Sequence, residues 1–230
     1  MKTVGIIGGM SWESTAEYYR LLNEGIGARC GGLTSAKILL HSVEFGQIEE
    51  FQRAGNWDAC GKILGEAARG LESIGADFLL LATNTMHKVL PQMVRYVEIP
   101  FLHIADATAK AIADAGLTKV ALLGTEYTMK QDFYKGRLEE RGLTVLIPDE
   151  DDMKQINRII FEELCMGKTL ESSKAIYLSV IDQLAARGAE GIILGCTEIG
   201  LLIHPEDTAL PLFDTTKIHV EEAIQKMLDE

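Results

Sequence analysis

Leu79-Leu80-Leu81-Ala82-Thr83-Asn84-Thr85-Met86-His87 is a buried-strand pattern running into a polar turn. Side-chain donors on Asn84 and Thr85, with the free N–H groups of a helix starting after the turn, can hold a carboxylate. Gly195-Cys196-Thr197-Glu198 repeats the arrangement with a thiol at its head. A thiol at a strand-to-helix turn feels the positive helix end, which lowers its pKa. An isolated cysteine is more often a small buried hydrophobe. Here the polar neighbours and the repetition weigh toward chemistry. Cys30, Cys60 and Cys165 lie in helix-like or turn contexts without a polar nest and are read as packing residues.

Two further turns come after apolar runs. Gly8-Gly9-Met10-Ser11-Trp12-Glu13-Ser14 combines glycines, which allow tight turning and close ligand approach, with hydroxyls. Gly124-Thr125-Glu126-Tyr127-Thr128 is its counterpart and supplies two hydroxyls. Neither has the glycine spacing of a nucleotide-binding loop. Helix capping and ligand contact are both open for them. The five histidines, His41, His87, His103, His204 and His219, show no metal-ligand spacing. His87 lies four residues past Thr83, and reads as a capping or packing residue or as a spare proton carrier. Glu49-Glu50 and Asp149-Glu150-Asp151-Asp152 read as solvated loops or helix starts.

The elements that must position these turns alternate. Strands are expected at Thr3–Gly8, Ala36–Ser42, Asp77–Ala82, Lys119–Leu123, Thr144–Ile147, Glu190–Leu194 and Ala209–Phe213. Helices are expected near 12–28, 57–74, 106–115, 129–141, 153–165, 172–187 and 217–228, the first with a Ser14-x-x-Glu17 capping box. Such alternation predicts parallel sheets covered on both faces. Val4-Gly5-Ile6-Ile7-Gly8 resembles Val120-Ala121-Leu122-Leu123-Gly124, and Gly75–Thr83 resembles Gly188–Cys196. Ile99-Pro100-Phe101-Leu102 resembles Leu210-Pro211-Leu212-Phe213. Three landmarks in one order predict two similar α/β domains. The expected division is 1–103 and 104–214, with a helix at 215–230 packing back on the first. Ligands in such sheets bind beyond the carboxyl ends of the strands. Thr83 and Cys196 would then line opposite walls of one cleft.

Composition narrows the partners. Asp plus Glu is 34 against 22 for Lys plus Arg, a net charge of −12, which argues against a nucleic-acid or anionic-membrane surface. No run approaches the roughly 18 apolar residues of a membrane span. No targeting segment is visible, and four scattered cysteines suggest no disulfide framework, so a soluble cytoplasmic protein is expected.

Thr83-Asn84-Thr85-Met86-His87 and Gly195-Cys196-Thr197-Glu198, with Gly8-Gly9-Met10-Ser11, resemble the aspartate/glutamate racemase family over essentially the whole chain. The resemblance implies three-layer α/β domains with mainly parallel sheets, related by a pseudo-twofold axis, with the active site between them. It implies no pyridoxal phosphate, no metal, and often a homodimer. The family uses two cysteines, one on each face of the substrate α-carbon. Cys196 matches the second. Thr83 stands where the first is usual, a departure from the family pattern. The resemblance carries α-carboxylate contacts to Asn84, Thr85 and Thr197, and also to Thr125 and Thr128. It places Met10 and Gln52 near the substrate. Arg53, beside Gln52, is the nearest cation to a distal-carboxylate anchor, but adjacency alone does not place it.

The expected function is cofactor-independent racemisation of an amino acid, aspartate or glutamate first. Donors on the α-carboxylate stabilise the charge that spreads into it as the proton leaves. A thiolate is a stronger base than an ordinary carboxylate and better matched to that step. Two alternatives stand beside it. One is a one-cysteine relative, an arylmalonate-type decarboxylase or maleate-type isomerase. The other is a catalytically weak amino-acid binding protein.

Overall fold

The computed structural model describes residues 1–229, and the chain divides into two units. The first is Met1–Ile104 with the segment from His219 onward, and the second is Ala105–Ile218.

In the first unit the sheet runs β2-β1-β3-β4, all parallel, from β1 (Val4–Gly8), β2 (Ile38–Ser42), β3 (Phe78–Leu81) and β4 (Phe101–Leu102). Side chains alternate across the sheet. Ile7, Leu79 and Leu81 join Leu64, Ala68 and Leu71 of α3 (Trp57–Ser73) in one cluster. Val4, Ile6, Phe78 and Leu80 pack instead with Tyr18, Leu22 and Ile26 of α1 (Trp12–Cys30). The same cluster takes in Val220, Ala223, Ile224 and Met227 of the C-terminal helix. Burial on both faces explains why β1 and β3 read as continuous apolar runs.

The second unit repeats the order as β6-β5-β7-β8, again all parallel. Its strands are β5 (Lys119–Gly124), β6 (Thr144–Leu146), β7 (Gly191–Gly195) and β8 (Leu212–Asp214). Helices α5 (Ile104–Asp114), α8 (Glu150–Glu162) and α9 (Glu171–Ala186) flank it. Both units are therefore parallel-sheet α/β structures, as the alternation predicted.

Several local expectations need correction. Ser11, not Ser14, caps α1: its hydroxyl accepts from the Ser14 N–H at 3.2 Å. The helix expected over 129–141 is two short ones, α6 (Glu126–Lys130) and α7 (Lys135–Glu139). Gln131 between them is extended, and Tyr134 just beyond is fully buried. The charge run Glu49-Glu50 lies inside an additional helix, α2 (Phe45–Arg53), which the Glu44 carboxylate caps by accepting from Gly46 and Gln47 N–H. Asp149 caps α8, so its acidic run is a helix start. No described helix is long and apolar enough to cross a membrane.

Candidate active site

In the first unit, the turns after β1 and β3 leave the same edge of the sheet, because the two strands pair in parallel with Ile7 opposite Leu81. After β1, Gly9 has φ +91, and a side chain there would collide with the Val43 backbone. The Gly9 N–H donates to Thr15 Oγ1 at 2.8 Å, and that hydroxyl donates to the Ser11 carbonyl at 2.8 Å. The hydroxyls of this turn thus organise the turn itself. Met10 is buried in the apolar cluster that also holds Ile48 and Met86. Gln52, on α2, is buried too and donates through Nε2 to Met86 Sδ. Arg53 points elsewhere: it is 72% exposed and pairs with Glu49 at 3.4 Å.

After β3, Thr83 and Asn84 are buried and Thr85 is half-buried. A 3-10 turn, Thr85–Val89, comes next, and the helix expected after the turn is the short α4 (Leu90–Met93). The Thr83 N–H donates to the Leu81 carbonyl at 2.9 Å. Its own carbonyl lies 2.8 Å from His87 Nδ1. His87 is 2% exposed, and its Nε2 accepts from the Ile104 N–H at 3.3 Å. The His103 ring lies tilted against it at 4.5 Å and the His219 ring edge-on at 6.0 Å between centroids. Burial, then the neighbouring His103 and His219, hold His87 far below the ordinary imidazole range, so the ring is neutral.

In the second unit, Gly124 and Gly195 end two paired strands opposite each other. A Cβ on Gly124 would sit 2.9 Å from the Gly195 carbonyl oxygen, and one on Gly195 would sit 2.8 Å from that of Leu123. Only glycines let the two strand ends approach this closely. The approach brings the turn carrying Thr125 and Thr128 beside the turn carrying Cys196. Thr125 caps α6, accepting from the Thr128 N–H at 3.3 Å, and the two hydroxyls lie 3.2 Å apart.

Cys196 Sγ donates to Glu198 Oε2 at 3.0 Å, and Thr197 Oγ1 donates to the same oxygen at 2.6 Å. Glu198 is buried, while Cys196 and Thr197 are half-buried. The thiol pKa is raised well above its ordinary value, chiefly by burial, then by the Glu198 charge. This corrects the expected lowering. Beyond the Cys196 turn the chain forms only a 3-10 turn of three residues, Ile199–Leu201, with too little helix to supply a dipole, and a carboxylate faces the sulfur instead. A thiolate formed here is a stronger base than an ordinary one.

Two groups in this half carried no role in the sequence reading. Glu198 stood inside the quoted motif, and its carboxylate is the partner that defines the thiol. Tyr177, on α9, had no motif to mark it. Its hydroxyl is buried with no hydrogen-bond partner among the described residues. Burial, then Cys196, Cys165, Glu163 and Glu198, hold it protonated, well above the ordinary phenol range. Among the described residues no group of three His, Cys, Asp or Glu side chains is arranged to hold a metal ion.

Known proteins share this fold. The chain is 50% identical to a provisionally assigned Asp/Glu racemase from Yersinia pestis, with a TM-score of 0.94 over 100% of both chains. It is 38% identical to an aspartate racemase homologue from Pyrococcus horikoshii, with a TM-score of 0.87, again over 100% of both chains. It is 23% identical over 171 residues to the broad specificity amino-acid racemase RacX of Bacillus subtilis, covering 74% of each chain. The sequence pattern of the Asp/Glu/Hydantoin racemase family matches residues 7–223. With that pattern spanning both units, the chain belongs to the Asp/Glu/hydantoin racemase family and is an isomerase of the cofactor-independent amino-acid racemase type.

Proposed function

We propose that the chain interconverts the enantiomers of aspartate and/or glutamate, with Cys196 and Thr83 acting on opposite faces of the α-carbon. The observation that carries this reading is positional. β3 and β7 hold the same place in two sheets of the same order, and Thr83 and Cys196 stand in the turns that leave them. The family's name and the aspartate racemase homologue at 38% identity support the acidic substrates.

Proton flow begins at the sulfur. The Cys196 proton passes to Glu198, its hydrogen-bond acceptor, leaving a thiolate. The thiolate takes the α-proton of the L-substrate, and the electron pair of the broken C–H bond spreads into the α-carboxylate. Donors from Asn84 and Thr85 hold that carboxylate; the Thr197 hydroxyl, which donates to Glu198 in the free protein, turns to it once Glu198 takes the Cys196 proton, and Thr125 and Thr128 complete the set. Their bonds strengthen as charge builds, which is how they lower the barrier. The Thr83 hydroxyl returns a proton to the opposite face, and water then carries the Glu198 proton to the Thr83 alkoxide, which restores both groups. Met10 and Gln52 shape the apolar wall beside the substrate.

A racemase has an equilibrium constant of one, so kcat/KM is equal in both directions. The inequality between a thiol and an alcohol shows elsewhere. In D₂O the parent should exchange the α-hydrogen of L-aspartate or L-glutamate with retention faster than it racemises. Thr83→Ala should suppress racemisation more than that exchange. Equal loss of both, or loss of neither, overturns Thr83 as the returning acid. Carbon dioxide released from an arylmalonate without amino-acid exchange would point to the decarboxylase alternative.

A further inference from the structure

Resting on the reading of Thr83 as returning acid, we infer that His87 is a positioning residue that aims the Thr83 hydroxyl through the Thr83 carbonyl. The tautomer is set by geometry. The backbone N–H of Ile104 can only donate, so His87 Nε2, 3.3 Å away, is the acceptor. The ring proton therefore sits on Nδ1 and is donated to the Thr83 carbonyl at 2.8 Å.

Both ring nitrogens are committed to backbone groups and the ring is buried, so His87 does not carry the returning proton itself. Its effect is on the peptide it holds. The Thr83 N–H is tied to Leu81 and the carbonyl to His87, so the residue is fixed at both ends. Threonine is branched at Cβ and stiff at χ1, so a fixed backbone fixes the direction of the hydroxyl.

The ring is itself wedged in place. His103 lies tilted against it at 4.5 Å between centroids, and His219 meets it edge-on. His219 is held in turn: its Nε2 lies 2.9 Å from the Leu102 carbonyl, and its Nδ1 lies 3.0 Å from the Tyr18 hydroxyl. Ile104, which His87 accepts from, is the last residue of the first unit before the chain passes to the second. His219 is the residue at which the chain returns. The turn that carries Thr83 is thus pinned to both chain crossings by hydrogen bonds and ring contacts within one unit.

The test uses the full chain and two variants that split the ring's two bonds. His87→Asn places an amide donor near the Nδ1 position and keeps the bond to Thr83. His87→Gln places an amide oxygen near the Nε2 position and keeps the bond to Ile104. Racemisation and α-deuterium exchange into the L-substrate are measured on the same sample. Their ratio is independent of the folded fraction. The ratio should fall about tenfold in His87→Gln, through kcat with KM within about twofold, and stay within about threefold of the parent in His87→Asn. In a Thr83→Ala background, His87→Gln should change the ratio by less than about twofold, because the two residues act as one unit. A parental ratio in His87→Gln, equal damage in both variants, or additive loss with Thr83→Ala overturns the inference. A parental ratio in Thr83→Ala alone overturns the Thr83 reading, and this inference with it.

Discussion

The two units enter their central strands identically and leave them differently. Ahead of β3, Gly75 N–H donates to Glu72 O and Ala76 N–H to Leu71 O; ahead of β7, Gly188 N–H donates to Ala185 O and Ala189 N–H to Leu184 O. Each pair is the same helix-ending motif. The residues just ahead of the strands match as well: the Asp77 carboxylate accepts from Thr3 N–H, and the Glu190 carboxylate accepts from Thr118 and Lys119 N–H. At the exits the likeness stops. Cys196 has its reactive atom hydrogen-bonded to a buried carboxylate, whereas Thr83 has its backbone held by a buried imidazole. In the proposed mechanism, one side tunes a proton's affinity and the other aims a hydroxyl. Shared scaffold with divergent exits separates what holds the sheet from what the proposed mechanism uses.

Cys196→Ala breaks the comparison most completely. Racemisation and L-substrate exchange should both fall by about 10³-fold, with the protein still folded by circular dichroism. Cys196→Ser should be severely impaired as well. Next is the carboxylate nest. In the proposed mechanism Asn84→Ala removes a donor whose bond strengthens in the transition state, and the expected cost is roughly 3 kcal/mol or about 10²-fold in kcat/KM. A value within about twofold of the parent would reduce Asn84 to a turn residue.

Glu198→Gln sharpens the contrast at the thiol. The Glu198 charge and hydrogen bond both raise the Cys196 pKa, so removing the charge should lower it. Iodoacetamide should then alkylate Cys196 faster at neutral pH than in the parent. Racemisation should fall about tenfold, because the thiolate is a weaker base and its proton acceptor is gone. Slower alkylation would show that Glu198 does not set the thiol's affinity.

The smallest effect is on stability. His219 is buried, and desolvation lowers its pKa to about 4. An unfolded histidine titrates near 6.5, so below that pH the unfolded chain binds the extra proton. Stability is therefore complete above about pH 6.5 and declines as pH falls toward 4. Between about pH 7.5 and 5.5 His219 alone should cost roughly 1 kcal/mol. Urea midpoints across this range should fall less steeply in His219→Gln. Identical slopes would mean that the buried ring is not what titrates.

Much of the scaffold was legible because its signals are local. β1, β3, β5 and β7 are short apolar runs bounded by helix-ending glycines or polar turns. The helix over Phe45–Arg53 was not legible. Its cap is a glutamate, an uncommon residue in that role, and its two central acids look like a solvated loop. The break at Gln131 was hidden by a continuous helical pattern on either side. At the candidate site, the motifs marked Thr83, Asn84, Thr85, Cys196 and Thr197 as neighbours in sequence. They said nothing of what each side chain meets. The expected fall in the Cys196 pKa failed for that reason: it assumed a helix end where the fold sets a short turn and a carboxylate.

By itself the sequence determined the alternation of buried strands and amphipathic helices, the duplication, and the polar turns after β3 and β7. These rest on side-chain periods and turn chemistry within a few residues of chain. The tertiary structure alone decided that His87 meets Ile104, His103 and the edge of His219. It also decided that Tyr177, from a helix, buries its hydroxyl in the electrostatic neighbourhood of Cys196. Strand register and helix packing set such meetings. They fix hydrogen-bond partners and desolvation, and those two quantities determine how readily each group gives or takes a proton.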